Sequence, residues 1–236
     1  MQQSKLEITD LNVSYETHTV LQNLSHCFYP GQIHGILGTN GAGKTTLFKS
    51  IYGLLKPDSG SIILQGFEED SNCIAYLETE PTFYAFMKGD EYLELLSHNN
   101  KSFDPDTWSS LFNLPLNDFI ETYSTGMKKK LALLGILSLD RPIMLLDEPH
   151  TGLDLESVKI LDKILHQLKS RGKLILFTSH ILEVLTKNCD KISLLQNQAI
   201  QSTFNKGNYA DLENFIESQI KLNSGEILKT LFQSNK

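Results

Sequence analysis

The chain has 236 residues, of which 40% are hydrophobic and 21% charged, and its formal net charge is -7 at pH 7. This balance is typical of a globular protein with a sizeable core and excludes a disordered chain. The length fits one α/β domain with an inserted lobe better than two independent domains. The acidic character disfavours a nucleic-acid partner, because such binding relies on basic side chains that neutralise phosphates.

No part of the sequence predicts direct insertion into a membrane. The first ten residues lack the basic and apolar regions of a signal peptide. The longest apolar run, around residues 131–139, is far shorter than the ~20 residues that span a bilayer. The three cysteines, Cys27, Cys73 and Cys189, are scattered and odd in number, which favours a reducing compartment. We therefore expect a cytoplasmic protein that reaches a membrane only through a partner.

The N-terminal part of the chain begins with alternating apolar and polar residues. Over residues 4–29 this alternation predicts half-buried antiparallel strands. A short buried strand is then predicted at Gln32–Leu37, a helix at Thr45–Tyr52 and another strand at Ser61–Leu64. Residues 1–82 are therefore expected to form an antiparallel β-subdomain and the first part of a core.

The pattern changes between residues 83 and 139, where apolar residues recur at helical spacing and predict an inserted α-helical lobe. Strand signals return at Ile143–Leu146 and Leu174–Thr178, with a helical stretch at Leu155–Ser170 between them. The order strand, helix, strand predicts a doubly wound, mainly parallel sheet.

These patterns describe a single domain over residues 1–236. Its core is expected to combine residues 1–82 with residues 140–205, and the lobe to occupy residues 83–139. Residues 206–236 form a C-terminal tail, in which Tyr209–Ile220 is predicted to be an amphipathic helix.

A glycine-rich segment, Gly38–Thr45, connects the predicted strand Gln32–Leu37 to the helix that follows and is the predicted phosphate loop. Its pattern, G-x-x-x-x-G-K-[ST], is matched by Gly38, Gly43, Lys44 and Thr45. The glycines let backbone N–H groups turn inward around phosphate oxygens, and the helix adds its positive end. Lys44 is expected to reach the β- and γ-phosphates of ATP as a catalytic residue, and the Thr45 hydroxyl to ligate Mg²⁺. The residues expected to bind nucleotide are Gly38, Thr39, Asn40, Gly41, Ala42, Gly43, Lys44, Thr45 and Thr46.

An acidic pair, Asp147-Glu148, follows the buried strand Ile143–Leu146. The carboxyl ends of parallel strands are where open α/β sheets bind ligands. Asp147 is expected to hold Mg²⁺, and Glu148 to act as the general base toward the attacking water. An acidic pair here is as typical of a helix N-cap, and the phosphate loop in the same chain favours the nucleotide role. Together the two motifs predict an α/β fold of the P-loop NTPase type.

With these motifs placed, the chain resembles the nucleotide-binding subunits of ABC transporters from about Leu6 to about residue 205. Tyr123-Ser124-Thr125-Gly126-Met127, the signature segment, stands where the family carries its LSGGQ-type signature. Thr151-Gly152-Leu153-Asp154 follows the acidic pair as the family's D-loop does, and His180 follows the strand Leu174–Thr178.

The resemblance implies a role for each of these residues. Tyr15 would stack on adenine, and the alternative is that it is a core residue of its strand. Ser124 and Gly126 would complete the γ-phosphate site of a second copy of the chain, and Asp154 would cross the interface between the copies. His180 would hold the γ-phosphate as a catalytic residue.

Two features next to these segments are less usual. Lys128, Lys129 and Lys130 follow the signature segment near a helix N-terminus, where cations oppose the helix dipole. They would suit an incoming anionic nucleotide, or they form a solvated charge run. His150 precedes the D-loop segment, is unexpected there, and receives no role from the sequence.

The main departure from the family is the Q-loop, where a glutamine usually contacts Mg²⁺ and senses the membrane partner. In Ala75–Pro81 the glutamine position falls on Thr79, which has no amide. Glu80 is a candidate substitute because carboxylates suit Mg²⁺. We expect either Thr79 or Glu80 to contribute to the metal site, with an altered signal to the partner.

The form of the signature segment resembles that of bacterial exporter ATPases, so the sequence predicts the energising subunit of an ABC exporter. Its expected partners are ATP with Mg²⁺, a separate membrane-spanning subunit and a second copy of the chain in a head-to-tail, ATP-dependent dimer. Phe83, Tyr84 and Phe86 would line the groove that receives the membrane subunit, or they form the core of the lobe.

Two other functions remain open from the sequence. One is a stand-alone ABC ATPase with an assembly or repair role, which co-purification with a membrane protein would exclude. The other is an ATP-binding module that hydrolyses slowly or not at all, which Thr79 motivates. Glu148 and His180 argue against it, and no nucleic-acid partner is expected.

Overall fold

The computed structural model describes residues 4–67 and 73–218 of the chain, and two β-sheets form its framework. The strands are β1 (Lys5–Tyr15), β2 (His18–Phe28), β3 (Ile33–Leu37), β4 (Ser59–Gln65), β5 (Ile74–Leu77), β6 (Ile143–Leu146), β7 (Leu174–Ser179), β8 (Lys191–Gln196) and β9 (Ala199–Asn205). The helices are α1 (Lys44–Tyr52), α2 (Gly89–Ser97), α3 (Pro105–Ser110), α4 (Thr125–Ser138), α5 (Leu155–Ser170) and α6 (Leu182–Asn188). Residues 209–218 are also helical.

The larger sheet has the strand order β5-β6-β7-β3-β8-β9. The pairs from β5 to β8 are parallel, and β9 closes the edge antiparallel to β8. Every residue of β3, β6 and β7 is buried, as is typical of parallel strands that are covered on both faces. The predicted doubly wound, mainly parallel sheet is therefore confirmed.

The two faces of this sheet support two apolar cores. Along β6, Met144 and Leu146 belong to the core that contains α4, α5 and α6, whereas Ile143 and Leu145 belong to the core that contains α1. Successive side chains of a strand point to opposite faces, so one short strand contributes to both cores. Its carboxyl end therefore lies between the two cores.

The smaller sheet, β2-β1-β4, is antiparallel, with Leu6 opposite Phe28 on one side of β1 and Leu64 on the other. Leu6, Ile8, Leu11 and Val13 of β1 are buried and pack into the core that contains α1. The expected N-terminal antiparallel β-subdomain is confirmed.

Helices α2, α3 and α4 form the helical lobe. At Gly135 of α4, a Cβ atom would lie 2.6 Å from Tyr92 of α2, so glycine allows the two helices to pack closely. Phe83 is partly buried in the same core, with its ring 5.0 Å from that of Tyr92. Tyr84 and Phe86, by contrast, are 74% and 77% exposed. Of the three aromatic residues proposed for the groove, these two are largely exposed, whereas Phe83 contributes to the core of the lobe.

Strands β5, β8 and β9 and helix α6 were not predicted from the sequence. Each has seven residues or fewer, too short for periodicity to separate strand from helix. The helix predicted at Tyr209–Ile220 is present over residues 209–218, and Ile220 lies outside the described residues. Within residues 4–67 and 73–218, no helix has both the length and the apolar character required to cross a membrane.

Candidate nucleotide site

Four groups of predicted site residues follow four adjacent strands of the larger sheet. The phosphate loop follows β3, Asp147-Glu148 follows β6, His180 follows β7 and Thr79 follows β5. Since these strands are parallel, their carboxyl ends lie on one edge of the sheet. Residues that are far apart in the sequence therefore meet at a ligand-binding position typical of open α/β sheets.

The phosphate loop has a backbone that side chains would disturb. Gly41 and Gly43 have φ values of 80° and 102°, in the left-handed region that favours glycine. A Cβ atom on Gly38 would lie 2.8 Å from the carbonyl oxygen of Leu195. Lys44 is buried, and its ammonium group donates to the carbonyls of Gly38 at 2.8 Å and Thr39 at 3.2 Å. The loop thus places a positive charge beside its own backbone.

Asp147 is fully buried and accepts two short hydrogen bonds. Thr45 Oγ1 donates to Oδ2 at 2.6 Å, and Thr178 Oγ1 donates to Oδ1 at 2.6 Å. The first bond brings together the two predicted magnesium ligands, which supply the hard oxygen atoms that Mg²⁺ prefers. Thr178 was not predicted as a site residue, since the contact forms only when β6 and β7 pair.

Glu148 is held at the centre of the site. Its φ of 49° is unusual for a residue with a side chain, and strain of this kind clusters at functional positions. Its N–H donates to Thr178 Oγ1 at 2.9 Å. One carboxylate oxygen lies 3.5 Å from Lys44 Nζ, and both lie 3.1 Å from His180 Nδ1. The three predicted catalytic side chains are therefore in contact.

A cavity of about 420 Å³ opens above these groups. It is lined by His18, Val20, Asn40, Gly41, Gly43, Lys44, Thr45, Thr46, Thr79, Asp147 and Glu148. His18 and Val20 were not predicted, because β2 reaches the loop only through the tertiary fold. Tyr15 does not line the cavity. It is 46% exposed at the end of β1, opposite His18.

The two Q-loop candidates occupy different places. Thr79 lines both this cavity and an adjacent cleft of about 360 Å³, whereas Glu80 lines only the adjacent cleft. Thr45 lines both as well. Thr79 is therefore the candidate that faces the phosphate loop directly.

The signature and D-loop residues lie outside the cavity lining. Ser124 caps α4 by accepting a hydrogen bond from Met127 N–H at 3.2 Å. Asp154 caps α5 and accepts from Ser157 N–H at 2.8 Å and from Lys130 Nζ at 2.6 Å. The bond from Lys130, followed by those from Ser157, holds the pKa of Asp154 well below its usual range.

Gly126 brings the signature segment against the D-loop segment of the same chain. A Cβ atom at Gly126 would lie 2.9 Å from the carbonyl oxygen of Gly152. The two segments predicted to contact a second copy therefore form one continuous region of the molecule. Their roles toward that copy stay predictions.

The three lysines of the run, Lys128, Lys129 and Lys130, differ in burial. Lys129 is only 4% exposed, so the interpretation of the run as a solvated or nucleotide-facing cluster is wrong for this residue. Its ammonium group donates to backbone carbonyls at the ends of β5 and β6. Burial lowers the pKa of Lys129 to about 8, although the charges of Asp147, Glu148 and Glu80 act in the opposite direction.

His150 also has a defined place in the structure. Its Nε2 lies 3.0 Å from Asp162 Oδ1 on α5, and its ring lies 5.4 Å from that of Phe177. Lys187 and Asn188 of α6 donate to the same carboxylate. Burial raises the pKa of Asp162, but the hydrogen bonds from His150 and Lys187 outweigh it and lower the pKa overall. His150 thus connects the segment after Glu148 to α5 directly, and to α6 through Asp162.

Comparisons with known proteins agree with this geometry. The family model for the ABC transporter matches residues 21–151. The ABC-type transporter ATP-binding protein EcsA of Bacillus subtilis (strain 168) is 32% identical over 213 residues, which cover 84% of this chain and 86% of that protein.

Two solved structures share the fold. One, the ATP-binding subunit of an ABC transporter, is 28% identical, has a TM-score of 0.78, and is matched over 85% of this chain and 89% of its own. The other is the dimeric ATP-binding cassette MJ0796 bound to ADP and Pi, with 18% identity, a TM-score of 0.74, and coverage of 85% and 98%. The chain belongs to the ABC transporter family and is one of its ATP-binding subunits, an ATPase.

Proposed function

We propose that this chain energises an ABC exporter by binding and hydrolysing ATP with Mg²⁺ in the cavity at the carboxyl edge of the larger sheet. The observation that carries the proposal is the hydrogen-bonded group beneath the phosphate loop. There Thr45 and Thr178 hold Asp147, while Lys44 and His180 flank Glu148. These residues would supply the binding groups and the general base in one place.

The phosphate loop would hold the triphosphate of ATP. Its left-handed glycines leave room for phosphate oxygens beside backbone N–H groups, and the N-terminus of α1 adds a favourable dipole. Lys44 would exchange its bonds to Gly38 and Thr39 for the β- and γ-phosphates. Tyr15, which is exposed near the cavity residue His18, would contribute a face for adenine. The other loop residues proposed to contact nucleotide are Thr39, Asn40, Gly41, Ala42, Gly43 and Thr46.

The residues present fit a magnesium ion. Thr45 and Asp147 supply paired oxygen atoms 2.6 Å apart at the end of the phosphate loop, and Thr79 lies on the same cavity. Glu80, from the adjacent cleft, is the alternative to Thr79 as the third contributor. When bound with ATP, Mg²⁺ neutralises charge on the β- and γ-phosphates.

Glu148 would accept a proton from the water that attacks the γ-phosphorus. A bond forms from the water oxygen to phosphorus, and the bond from phosphorus to the β–γ bridging oxygen breaks, leaving ADP and phosphate. His180, 3.1 Å from the Glu148 carboxylate, would hold the base in orientation and contact the γ-phosphate. Lys44 would stabilise the charge that develops on the phosphate oxygens.

A second copy of the chain would complete each site. Ser124, Gly126 and Asp154 lie outside their own cavity lining but next to one another, which suits a surface that meets the nucleotide of a facing copy. The helix end at Ser124 presents backbone N–H groups, and these favour an anion. The proposal is a head-to-tail dimer that closes on two ATP molecules.

A membrane-spanning partner would bind the helical lobe on the cytoplasmic side. Tyr84 and Phe86 support this proposal because they are large, apolar and more than two-thirds exposed, and exposed aromatic residues are enriched at protein interfaces. The exporter direction rests on the resemblance of the signature segment Tyr123–Met127 to exporter ATPases.

The test is co-purification from membranes that contain the partner. We expect the wild-type chain to bring down a multi-span membrane protein and the double variant Tyr84→Ser, Phe86→Ser to lose it, with ATP turnover of the isolated chain unchanged. Ile63→Ser, at another exposed apolar side chain on β4, is the matched control and should retain the partner. Absence of any membrane protein with the wild-type chain would favour a stand-alone ATPase.

A further inference from the structure

Lys129 lies inside the molecule, at the point where the helical lobe meets the core. It belongs to α4, which starts at Thr125 immediately after Ser124. Its Nζ donates to the carbonyl oxygens of Thr79 at 2.8 Å, of Glu78 at 3.3 Å and of Asp147 at 3.3 Å. An ammonium group has three N–H donors, and each has a backbone acceptor here.

These acceptors come from the two segments on which the proposed chemistry depends. Glu78 and Thr79 follow β5, and Thr79 lines the nucleotide cavity. Asp147 follows β6 and carries the carboxylate that accepts from Thr45. One side chain of the lobe therefore holds the backbone of both segments.

Joining two segments through a buried lysine has a free-energy cost. Its charge loses water, and its hydrogen-bond partners are neutral carbonyls rather than carboxylates. An apolar side chain of similar length would fill the same space without that penalty. What the ammonium adds is three directed hydrogen bonds, which define the position of α4 relative to the two segments.

The position of α4 matters because its first turn carries the signature residues. Gly126 precedes Lys129 by three residues, or about 4.5 Å along a helix axis. A movement at the ends of β5 and β6 would therefore be transmitted to Ser124 and Gly126 over less than two helical turns. Lys130, the next residue, bonds to Asp154 of the D-loop segment at 2.6 Å. Lys129 thus connects α4 to the ends of β5 and β6, and Lys130 connects it to the D-loop segment.

We propose that Lys129 is a positioning residue that couples the nucleotide edge of the sheet to the signature helix, so that ATP binding in one copy places Ser124 and Gly126 for the facing copy. The inference rests on the proposed dimer and on the proposed roles of Asp147 and Thr79. It goes further by assigning the coupling in this chain, which lacks the Q-loop glutamine, to a lysine of the helical lobe.

The test separates ATP binding from dimer closure. In Lys129→Met we expect ATP affinity to stay within about threefold of wild type, since Lys129 does not line the cavity. We expect kcat to fall about tenfold with KM little changed, because each lost hydrogen bond to a charged donor weakens the closed arrangement. On a Glu148→Gln background, ATP-dependent dimerisation measured by sedimentation should need about tenfold more protein.

A second variant and a control keep the result interpretable. Lys129→Gln retains an amide donor and should recover part of kcat and of dimerisation. It also gives the deciding measurement if Lys129→Met does not fold, with the melting temperature as the check. Lys159→Met removes an exposed lysine of α5 and should match wild type in every measurement.

The proposal is overturned if folded Lys129 variants show wild-type kcat and dimerisation. It is also overturned if they lose ATP affinity in step with kcat, since Lys129 would then act on its own cavity. If the wild-type chain does not hydrolyse ATP and the Glu148→Gln chain does not dimerise with ATP, the result would instead contradict the proposed function itself.

Discussion

Two buried lysines, Lys44 and Lys129, lie at the same edge of the sheet. They differ in how far along the chain their hydrogen-bond partners are. Lys44 donates to carbonyls of its own loop, five and six residues away in the chain. Lys129 donates to carbonyls 18, 50 and 51 residues away. The first environment is encoded locally by a glycine pattern, and the second exists only once β5, β6 and α4 have packed. A short motif therefore predicts the phosphate loop but not the residue that joins the lobe to the ends of β5 and β6.

Removal of the local lysine should have the largest effect on nucleotide binding. We expect Lys44→Ala to weaken ATP affinity by about 100-fold, because a charged hydrogen-bond donor to phosphate contributes about 1.5–3 kcal/mol. Equilibrium binding of a fluorescent ATP analogue measures this directly. Lys56→Ala, at an exposed lysine after α1, should bind normally. Wild-type affinity in Lys44→Ala would show that the loop does not hold the triphosphate.

A smaller effect is expected at Thr178, whose hydroxyl joins the two acidic residues. It donates to Asp147 and accepts from the Glu148 N–H. Thr178→Val keeps the shape but removes both bonds, so we expect kcat to fall about tenfold with ATP affinity nearly unchanged. Thr186→Val, at a hydroxyl that donates to Glu183 within its own helical turn, is the control. Unchanged kcat would show that the carboxylates are positioned without this contact.

The contrast between Thr178 and the motif residues shows how far the sequence could predict the site. Lys44, Asp147 and Glu148 were predictable because each belongs to a short pattern whose chemistry depends on neighbours in the chain. Thr178 and His18 were not, since neither has a local pattern and both reach the site through strand pairing. His180 was predictable only through the family resemblance.

The secondary-structure elements also divide into those with a strong local sequence signal and those that form only through tertiary pairing. The buried strand Ile143–Leu146 and the helix Leu155–Ser170 were predicted with the bounds that the structure has, because an apolar run and a long amphipathic stretch are strong local signals. β5 has four residues and includes Tyr76, whose ring packs against Tyr52 and Phe48 of α1. It forms a strand because β6 pairs with it, and its own sequence contains little that indicates one.

His34 lies at the opposite end of β3 from the phosphate loop, and it is expected to affect stability rather than nucleotide chemistry. It is buried, and its Nδ1 has no hydrogen-bond partner among the described residues. Burial lowers the pKa of His34 to about 4 from an ordinary value of 6.5, so the unfolded chain takes up the proton first as the pH falls. The free energy of unfolding should therefore decrease between pH 6.5 and about 4, by up to about 3 kcal/mol from this residue.

Denaturant titration of wild type and His34→Gln between pH 7 and pH 4 tests this prediction. The variant should lose part of the acid-dependent slope. Part should remain, because burial also lowers the pKa of His26 to about 4. ATP affinity at pH 7 should be the same in both proteins. An identical slope in the variant would show that His34 does not contribute to acid sensitivity.

Glu148 is proposed to be the base of an ATPase whose site closes between two copies of the chain. The most direct measurement is ATP turnover by the Glu148→Gln protein, together with its oligomeric state in the presence of ATP. We expect turnover to fall by about 10²- to 10⁴-fold, while ATP still binds and holds the protein as a dimer. Turnover at the wild-type rate would contradict the role of Glu148 as the base, and a protein that stays monomeric with ATP bound would contradict the closed dimer.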